Sequence, residues 1–387
     1  MVLPVRRLLY LVASPFVIYL AYLACGVPSA HAVPYFARRT GNPCSACHVI
    51  PPKLNRTGEA FVARGYTFQD GRVKDTFPFA VWATGRLEDS DTIRGEGFLN
   101  RIELIAGGPV RQSNLSYFIE WRAISQELRS DGSIRDRSGR FEDLFITYSA
   151  RNWAFTAGQF RPLSQVDVSR RLANSEPVAF SAGLAGKRAR DSRTTGLRAF
   201  SPAGRSPSVR ASYFRPSGSE AIDGWYVGVT IPFGGEFSFP LTREARTEAT
   251  LELESRPKGA FVEAYYRSGL SSIGAHGFLG DNDRWLAQLV GAYNYRAFFS
   301  TLGVGGAGKA KNEEFRISWD NEVVPVQWVA IGVRYDQRKE EGRGSKPAFY
   351  PHLNLQFPAS DLTLRLAVER RIQSKNNLTT AEFSFIF

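Results

Sequence analysis

The chain has 387 residues, 22% of them charged and 13% aromatic, with 35 Gly, 28 Phe and a formal net charge of +12. So aromatic, Gly-rich and mildly hydrophilic a composition is unlike that of a soluble α/β enzyme and suits a β-barrel whose outer surface meets lipid. The basic balance is not a nucleic-acid footprint, because the Arg residues are dispersed beside Glu instead of forming one concentrated run.

Residues 1–32 read as a secretory signal. Arg6-Arg7 form a basic start, an apolar run extends from Leu8 to Leu23, and Ala30-His31-Ala32 is a small-residue cleavage box that leaves Val33 as the new amino terminus. The run is long for a signal, but Pro15 in its middle and the cleavage box argue against a retained anchor. Leu23-Ala24-Cys25-Gly26 faintly resembles a lipobox, although Tyr22 is a poor residue three places before the cysteine.

Next comes Cys44-Ser45-Ala46-Cys47-His48, a CxxCH. This is the attachment signature of a c-type haem: two thiols form thioethers with the porphyrin and the adjacent imidazole ligates the iron. A redox dithiol is disfavoured by the lack of a βαβ context, and a structural zinc site by the lack of a second Cys/His pair. The expectation is therefore one covalent haem c, held by Cys44 and Cys47 with His48 as axial ligand.

Pro51-Pro52 precede residues 53–64, a run of helical character. Leu54, Gly58, Phe61 and Gly65 share one helical face, and its glycines would let a flat ring approach the backbone, so Leu54, Gly58 and Phe61 are candidates to pack on the haem. Residues 33–76 number 44, near the lower limit for unaided folding, so the rest of the chain is expected to complete the pocket. The only Met is Met1, which excludes a Met/His cytochrome in the mature chain. The sixth ligand is left among His276, His352, a lysine such as Lys53, the new amino terminus and water.

From residue 77 the dominant period is two. Ala249, Leu251 and Leu253 alternate with Glu248, Thr250, Glu252 and Glu254; Phe315, Ile317 and Trp319 alternate with Arg316, Ser318 and Asp320. Leu115, Tyr117, Ile119 and Trp121 alternate with polar residues except at Phe118. Runs of about ten residues, short connections (321–325, 358–361) against long ones (126–139, 160–191) and a closing Phe387 favour a membrane barrel over a sandwich. Counting strands gives seventeen; because bacterial barrels have an even number, and residues 233–246 interrupt the pattern, sixteen is expected.

In residues 349–357 the even positions Tyr350, His352, Asn354 and Gln356 would face the lumen, which makes His352 the first candidate for a sixth ligand. His276, in an expected loop over residues 268–283, is weaker. Asp167, Glu176 and Asp191 in the long loop are a weak signal for a hard cation. The pairs Arg101/Glu103, Glu120/Arg122, Arg316/Asp320 and Arg365/Glu369 are expected to brace the lumen wall.

The haem segment resembles the outer-membrane cytochrome c–porin fusions of iron-oxidising bacteria. The resemblance is carried by Phe36-Ala37-Arg38-Arg39-Thr40-Gly41, the CxxCH, Pro52, Leu54-Asn55, Gly58, Phe61 and Gly65-Tyr66, with Val62 where that family usually has a basic residue. Over the barrel the likeness is architectural only. It implies a mainly β fold: a transmembrane antiparallel β-barrel of about sixteen strands (residues 77–387) preceded by a short helical haem segment (residues 33–76). It implies an Fe(II) oxidase of the bacterial outer membrane, its haem segment at the periplasmic end or in the lumen. Electrons would pass from extracellular Fe(II) to a periplasmic carrier such as a soluble cytochrome c. The alternatives are a conduit for another donor or acceptor, and a porin whose haem segment is a plug.

Overall fold

The computed structural model describes the chain from residue 35 to residue 386, apart from residues 52, 64, 68–78, 91–94, 111–112, 129–132, 151–152, 161–193, 201–207, 217–223, 240–241, 257–258, 269–270, 281–282, 296, 310–311, 327, 359–362 and 374–376. The expected signal, Cys25, and the loop carboxylates Asp167, Glu176 and Asp191 lie outside the described residues.

From Ala80 onward the chain is one antiparallel sheet closed on itself. Each strand pairs with the next, and Leu378–Ile386 returns to pair with Ala80–Ser90 from Leu378↔Ser90 to Ile386↔Trp82. Nineteen strands are linked in the ring, but Ile134–Asp136 pairs only with the tip of Leu115–Leu128, while Arg140–Ala150 takes the wall position beside that strand. Among the described residues eighteen strands therefore make the wall, close to the expected figure of about sixteen and again an even number. The difference lies where the alternation is weakest. Residues 233–239 and 242–246 belong to two long strands, Gly224–Phe239 and Thr242–Arg256, whose pairing slips between Phe233 and Glu236 at Gly234-Gly235. A bulge of this kind shifts side chains from face to face and hides a period of two. Residues 321–325, expected as a turn, lie inside Asn312–Val326, and the reversal falls between Val326 and Val329.

The wall has inverted polarity. Phe315 and Trp319 are 44% and 50% exposed, whereas Arg316 and Ser318 between them are 2% and 1% exposed. Leu289 is 61% exposed and its neighbour Gln288 only 5%. A soluble sandwich would bury the apolar row. Here the apolar row faces out and the charged row faces the lumen, as a lipid-embedded barrel requires.

Along much of the inner row buried charge is paired. Arg122 bonds Glu103 at 2.7 Å and lies 3.3 Å from Glu142; Arg338 bonds Glu314 at 2.8 Å, and Arg86 pairs with Glu382. Of the expected partners, Arg101 meets Glu103 at 3.6 Å. Arg316 turns instead to Glu314, two residues away on the same face, and Arg365 bonds Asn354 at 2.9 Å.

Because the strand number is even, Ala80 and Ile386 lie at one end. That end carries tight reversals from Ala150 to Trp153, Ser268 to Ser271 and Val326 to Val329. The outward row makes a prediction: Leu289→Arg lowers unfolding stability by about 2–4 kcal/mol in lipid vesicles, while Leu289→Phe is near neutral, as read by denaturant unfolding of the reconstituted protein. Equal stability of the two variants would contradict a lipid-facing row.

Candidate functional site

The segment before the wall, described over residues 35–67, holds two short helices, Tyr35–Thr40 and Arg56–Ala63, with the CxxCH between them. Cys44–Ala46 form a single 3₁₀ turn closed by Ala46 N–H on Pro43 O (2.9 Å) and Cys47 N–H on Cys44 O (3.0 Å). His48–Ile50 then pairs with Lys53–Leu54 as a two-stranded ribbon. The helix expected from Lys53 thus begins only at Arg56. Asn55 sets that start, accepting the Gly58 N–H on its Oδ1 at 3.0 Å as an N-cap. The Asn55 amide also donates to Ser45 O and Ala46 O, both at 3.2 Å, and its backbone N–H donates to Cys47 O at 2.9 Å. One side chain therefore ties the CxxCH turn to the following helix.

Gly58 has a geometric reason of its own. A Cβ there would lie 2.2 Å from Cys47 O and 2.9 Å from the Leu54 side chain, so the glycine lets the motif's own backbone seat on the helix. Leu54 is half-buried and Phe61 is buried, edge-on to Phe36 at 5.2 Å and to Tyr66 at 5.8 Å between ring centroids.

The segment is docked on the lumenal wall at the end with the tight reversals. Tyr35 is buried and donates its hydroxyl to Gly107 O, while Gly107 N–H returns a bond of 3.0 Å to the same oxygen. Arg39 reaches Gly107 O (3.3 Å) and Pro109 O (3.4 Å). Tyr66 stacks on Phe118 at 4.0 Å with the ring planes 9° apart, and Phe118 continues to Phe145 at 5.5 Å. Phe118, the apolar residue out of phase in the run 115–122, is thus the lumenal anchor for the segment. Gly65 has φ 71° and lies so close to Thr147 and Ser116 that a Cβ would be 2.6 Å from Thr147 Oγ1 and 2.8 Å from Ser116 Oγ. On the other flank Val49 and Ile50 pack with Phe299, Val324 and Ala330. Gln356 donates to Pro51 O, and Lys53 Nζ lies 2.6 Å from Glu322 Oε2 and 4.2 Å from the Phe299 ring centroid.

Cys44 and Cys47 are not bonded to each other, and both are part-buried. Burial pushes the Cys44 thiol up to about 12, helped by the neighbouring Cys47, and burial alone pushes Cys47 up to about 11.

His352 does face the lumen and is buried. Its Nδ1 lies 3.2 Å from Tyr350 O, and its Nε2 is directed at Glu322 Oε1 (3.5 Å) and Asp320 Oδ1 (3.9 Å). The expected haem-facing orientation is therefore not what positions this ring; it closes on two carboxylates. His276, expected in a loop, lies within the strand Ser271–Gly280, opposite Glu263 and Gln288. The run Ser271–Gly280 holds three glycines among its ten residues, and such a strand reads as loop from composition. Sequence reasoning missed Asn55, whose spacing three before Gly58 is a cap signal, and the pairing of Lys53 with Glu322, for which no local signal exists.

No family model and no curated relative matches the chain. Solved outer-membrane proteins share its fold. OccK2 (OpdF) of Pseudomonas aeruginosa, solved in complex with glucuronate, superposes with a TM-score of 0.50 at 11% identity, over 80% of this chain and 96% of that one. OpdK of the same organism, solved with vanillate, superposes with 0.49 at 12% identity, over 80% and 97%. At this identity the likeness is one of fold.

Two outcomes follow from the docked segment. Phe118→Ala removes the stacking partner of Tyr66 and weakens the docking by about 3–5 kcal/mol, read as rapid proteolysis of residues 33–67 while the wall stays resistant. Raised thiols keep the haem-free, folded chain unreactive: alkylation of Cys47 at pH 8.5 is slower than in the unfolded chain by roughly a hundredfold. The sign for stability is that the folded state favours the protonated thiols, so their contribution is present below pH 9 and is lost as pH rises through 11 to 12.

Proposed function

We propose that this protein is a porin-type barrel of the bacterial outer membrane whose lumen holds a haem-bearing segment, and that it moves electrons from extracellular Fe(II) to a periplasmic carrier. The observation that carries the reading is the CxxCH seated against the lumenal wall by Tyr35, Lys53, Tyr66 and Gln356. The donor set fits a covalent haem: two thiols unbridged to each other on one helical turn, followed by an imidazole. Cys44 and Cys47 would anchor the group and His48 would ligate its iron. When bound, a c-type haem supplies one-electron chemistry, with its potential tuned by ligation and burial.

The chain's own residues supply position and environment. Asn55 holds the CxxCH turn rigid against its helix, and the stack Phe36–Tyr66–Phe118 fixes that unit to the wall. Because the sheet closes on itself, its strands find backbone partners on both sides, and the segment lies inside the ring and not against lipid. Because ferrous oxidation yields poorly soluble ferric products, keeping the donor on the outer side is chemically sensible. Leu54 and Phe61 remain candidates for the ring face, whereas the space over Gly58 is taken by the close approach of Cys47 O.

The second reading is a solute porin in which residues 35–67 act as a plug. It is favoured by the fold likeness to OccK2, whose structure holds glucuronate.

Fe(II) added anaerobically to the oxidised, purified protein distinguishes the two. The reduced haem bands are expected to appear promptly in the wild type and to be missing from Cys47→Ser, which also loses covalent haem staining. An unchanged wild-type spectrum overturns the ferrous assignment. Liposome swelling with small sugars at porin rates would favour the second reading.

A further inference from the structure

Three acceptor atoms meet on the lumen wall beside the docked segment. Asp320 and Glu322 are two residues apart on Asn312–Val326, so both face inward. His352 comes from Arg343–Pro358, with the strand Val329–Glu340 running between. Gly332 lies at the crossing point, opposite Glu322 on one side and His352 on the other. A Cβ at Gly332 would be 2.2 Å from His352 Nε2, so only glycine lets the imidazole reach across the intervening strand.

The protonation logic is tight. Tyr350 O can only accept, so the 3.2 Å contact requires a proton on His352 Nδ1 and leaves Nε2 a lone pair in the neutral ring. That lone pair faces Glu322 Oε1 and Asp320 Oδ1, and all three residues are more than nine-tenths buried. Asp320 Oδ1, Glu322 Oε1 and His352 Nε2 have no hydrogen-bond partner, and the three lie within 4.8 Å of one another. Such an arrangement calls for positive charge at its centre. A second proton on His352 answers it poorly: 3.5 Å to Glu322 is long for a hydrogen bond, and 3.9 Å to Asp320 is beyond one. An ion answers all three. Donors ~2.1 Å from a common ion stand ~3.0–3.4 Å apart, so the imidazole, 3.5 Å from Glu322 Oε1 and 3.9 Å from Asp320 Oδ1, reaches that spacing when the carboxylates draw in by up to about half an ångström.

We infer that Asp320, Glu322 and His352 bind a divalent first-row transition ion. Two carboxylate oxygens and one imidazole suit Mn(II), Fe(II), Co(II) or Zn(II), whereas a soft Cu(I) would want sulfur. The surroundings already orient the ligands. Lys53 holds Glu322 by Oε2 at 2.6 Å and leaves Oε1 pointing at the site, while Tyr350 O fixes the imidazole tautomer. The nearby cations are Lys53 and Arg334; Arg334 stands opposite Asp320 in the register and is bonded to Asp336 at 3.0 Å. Since Lys53 belongs to the docked segment, seating of that segment completes the site. The site stands on the lumen geometry and does not depend on haem attachment.

The test is Mn(II) titration of the full-length protein in detergent, stripped beforehand with a chelating resin. Loss of the aqueous Mn(II) signal in room-temperature electron paramagnetic resonance reads binding. The wild type is expected to take up one equivalent more than His352→Gln or Asp320→Asn, or to bind that equivalent at least tenfold more tightly, with each variant checked for folding by heat-modifiable gel mobility. Equal uptake by the wild type and both ligand variants overturns the site and leaves a protonated His352 as the answer. Should the variants not fold, pulsed resonance of Mn(II) on the wild type decides: imidazole nitrogen coupling supports the site, and its absence overturns it.

Discussion

The pairing of Leu378–Ile386 with Ala80–Ser90 is the constraint on which the rest of the molecule depends. An open sheet in hydrocarbon would leave a row of backbone donors and acceptors unmet at several kcal/mol each, so a lipid-embedded sheet must close. Closure creates the lumen, and the lumen is the only place where Arg316, Arg334 and Glu103 can be buried with partners. With eighteen strands, the first and last begin and end on the same side. The amino-terminal segment is thereby delivered to the end that holds both Ala80 and Ile386, and a chain of some forty residues can fold back into the barrel there.

Docking of that segment uses two different kinds of contact. On one flank aromatic rings stack, Phe36 and Tyr66 against Phe118, and contribute apolar burial in a lumen otherwise lined with charge. On the other, polar contacts from Lys53 and Pro51 to Glu322 and Gln356 meet a small apolar cluster around Val49 and Ile50. The two flanks hold the CxxCH turn between them. Asn55 and Gly58 complete the arrangement from within, one by its hydrogen bonds and the other by having no side chain. The segment is therefore fixed to the wall as a unit, and the helical and ribbon pieces too small to form a core of their own use the barrel as one.

The Asp320–Glu322–His352 cluster and the docked segment are joined through Lys53. This residue lies five positions beyond His48 in sequence and touches Glu322 across the lumen. A wall residue and a segment residue thus share one electrostatic neighbourhood. Charge placed on either side of that contact is felt on the other, because a buried site is screened far less than a surface one.

Much of this was legible in the chain. The CxxCH needs only three residues within five positions, and the inverted wall is announced by rows such as Phe315, Ile317 and Trp319 against Arg316, Ser318 and Asp320, since side-chain direction alternates strictly along a strand. Phe118 stood out as a break in phase, although what it contacts did not. The strand number was hidden by the bulge at Gly234-Gly235, and His276 by its glycine-rich strand. Above all, nothing local couples Asp320 and Glu322 to His352, some thirty residues away. Composition, period and the CxxCH are properties of neighbouring residues, and the sequence alone determined them. Which residues face each other across three strands depends on register, and register follows from closure of the whole ring, which only the tertiary structure decided.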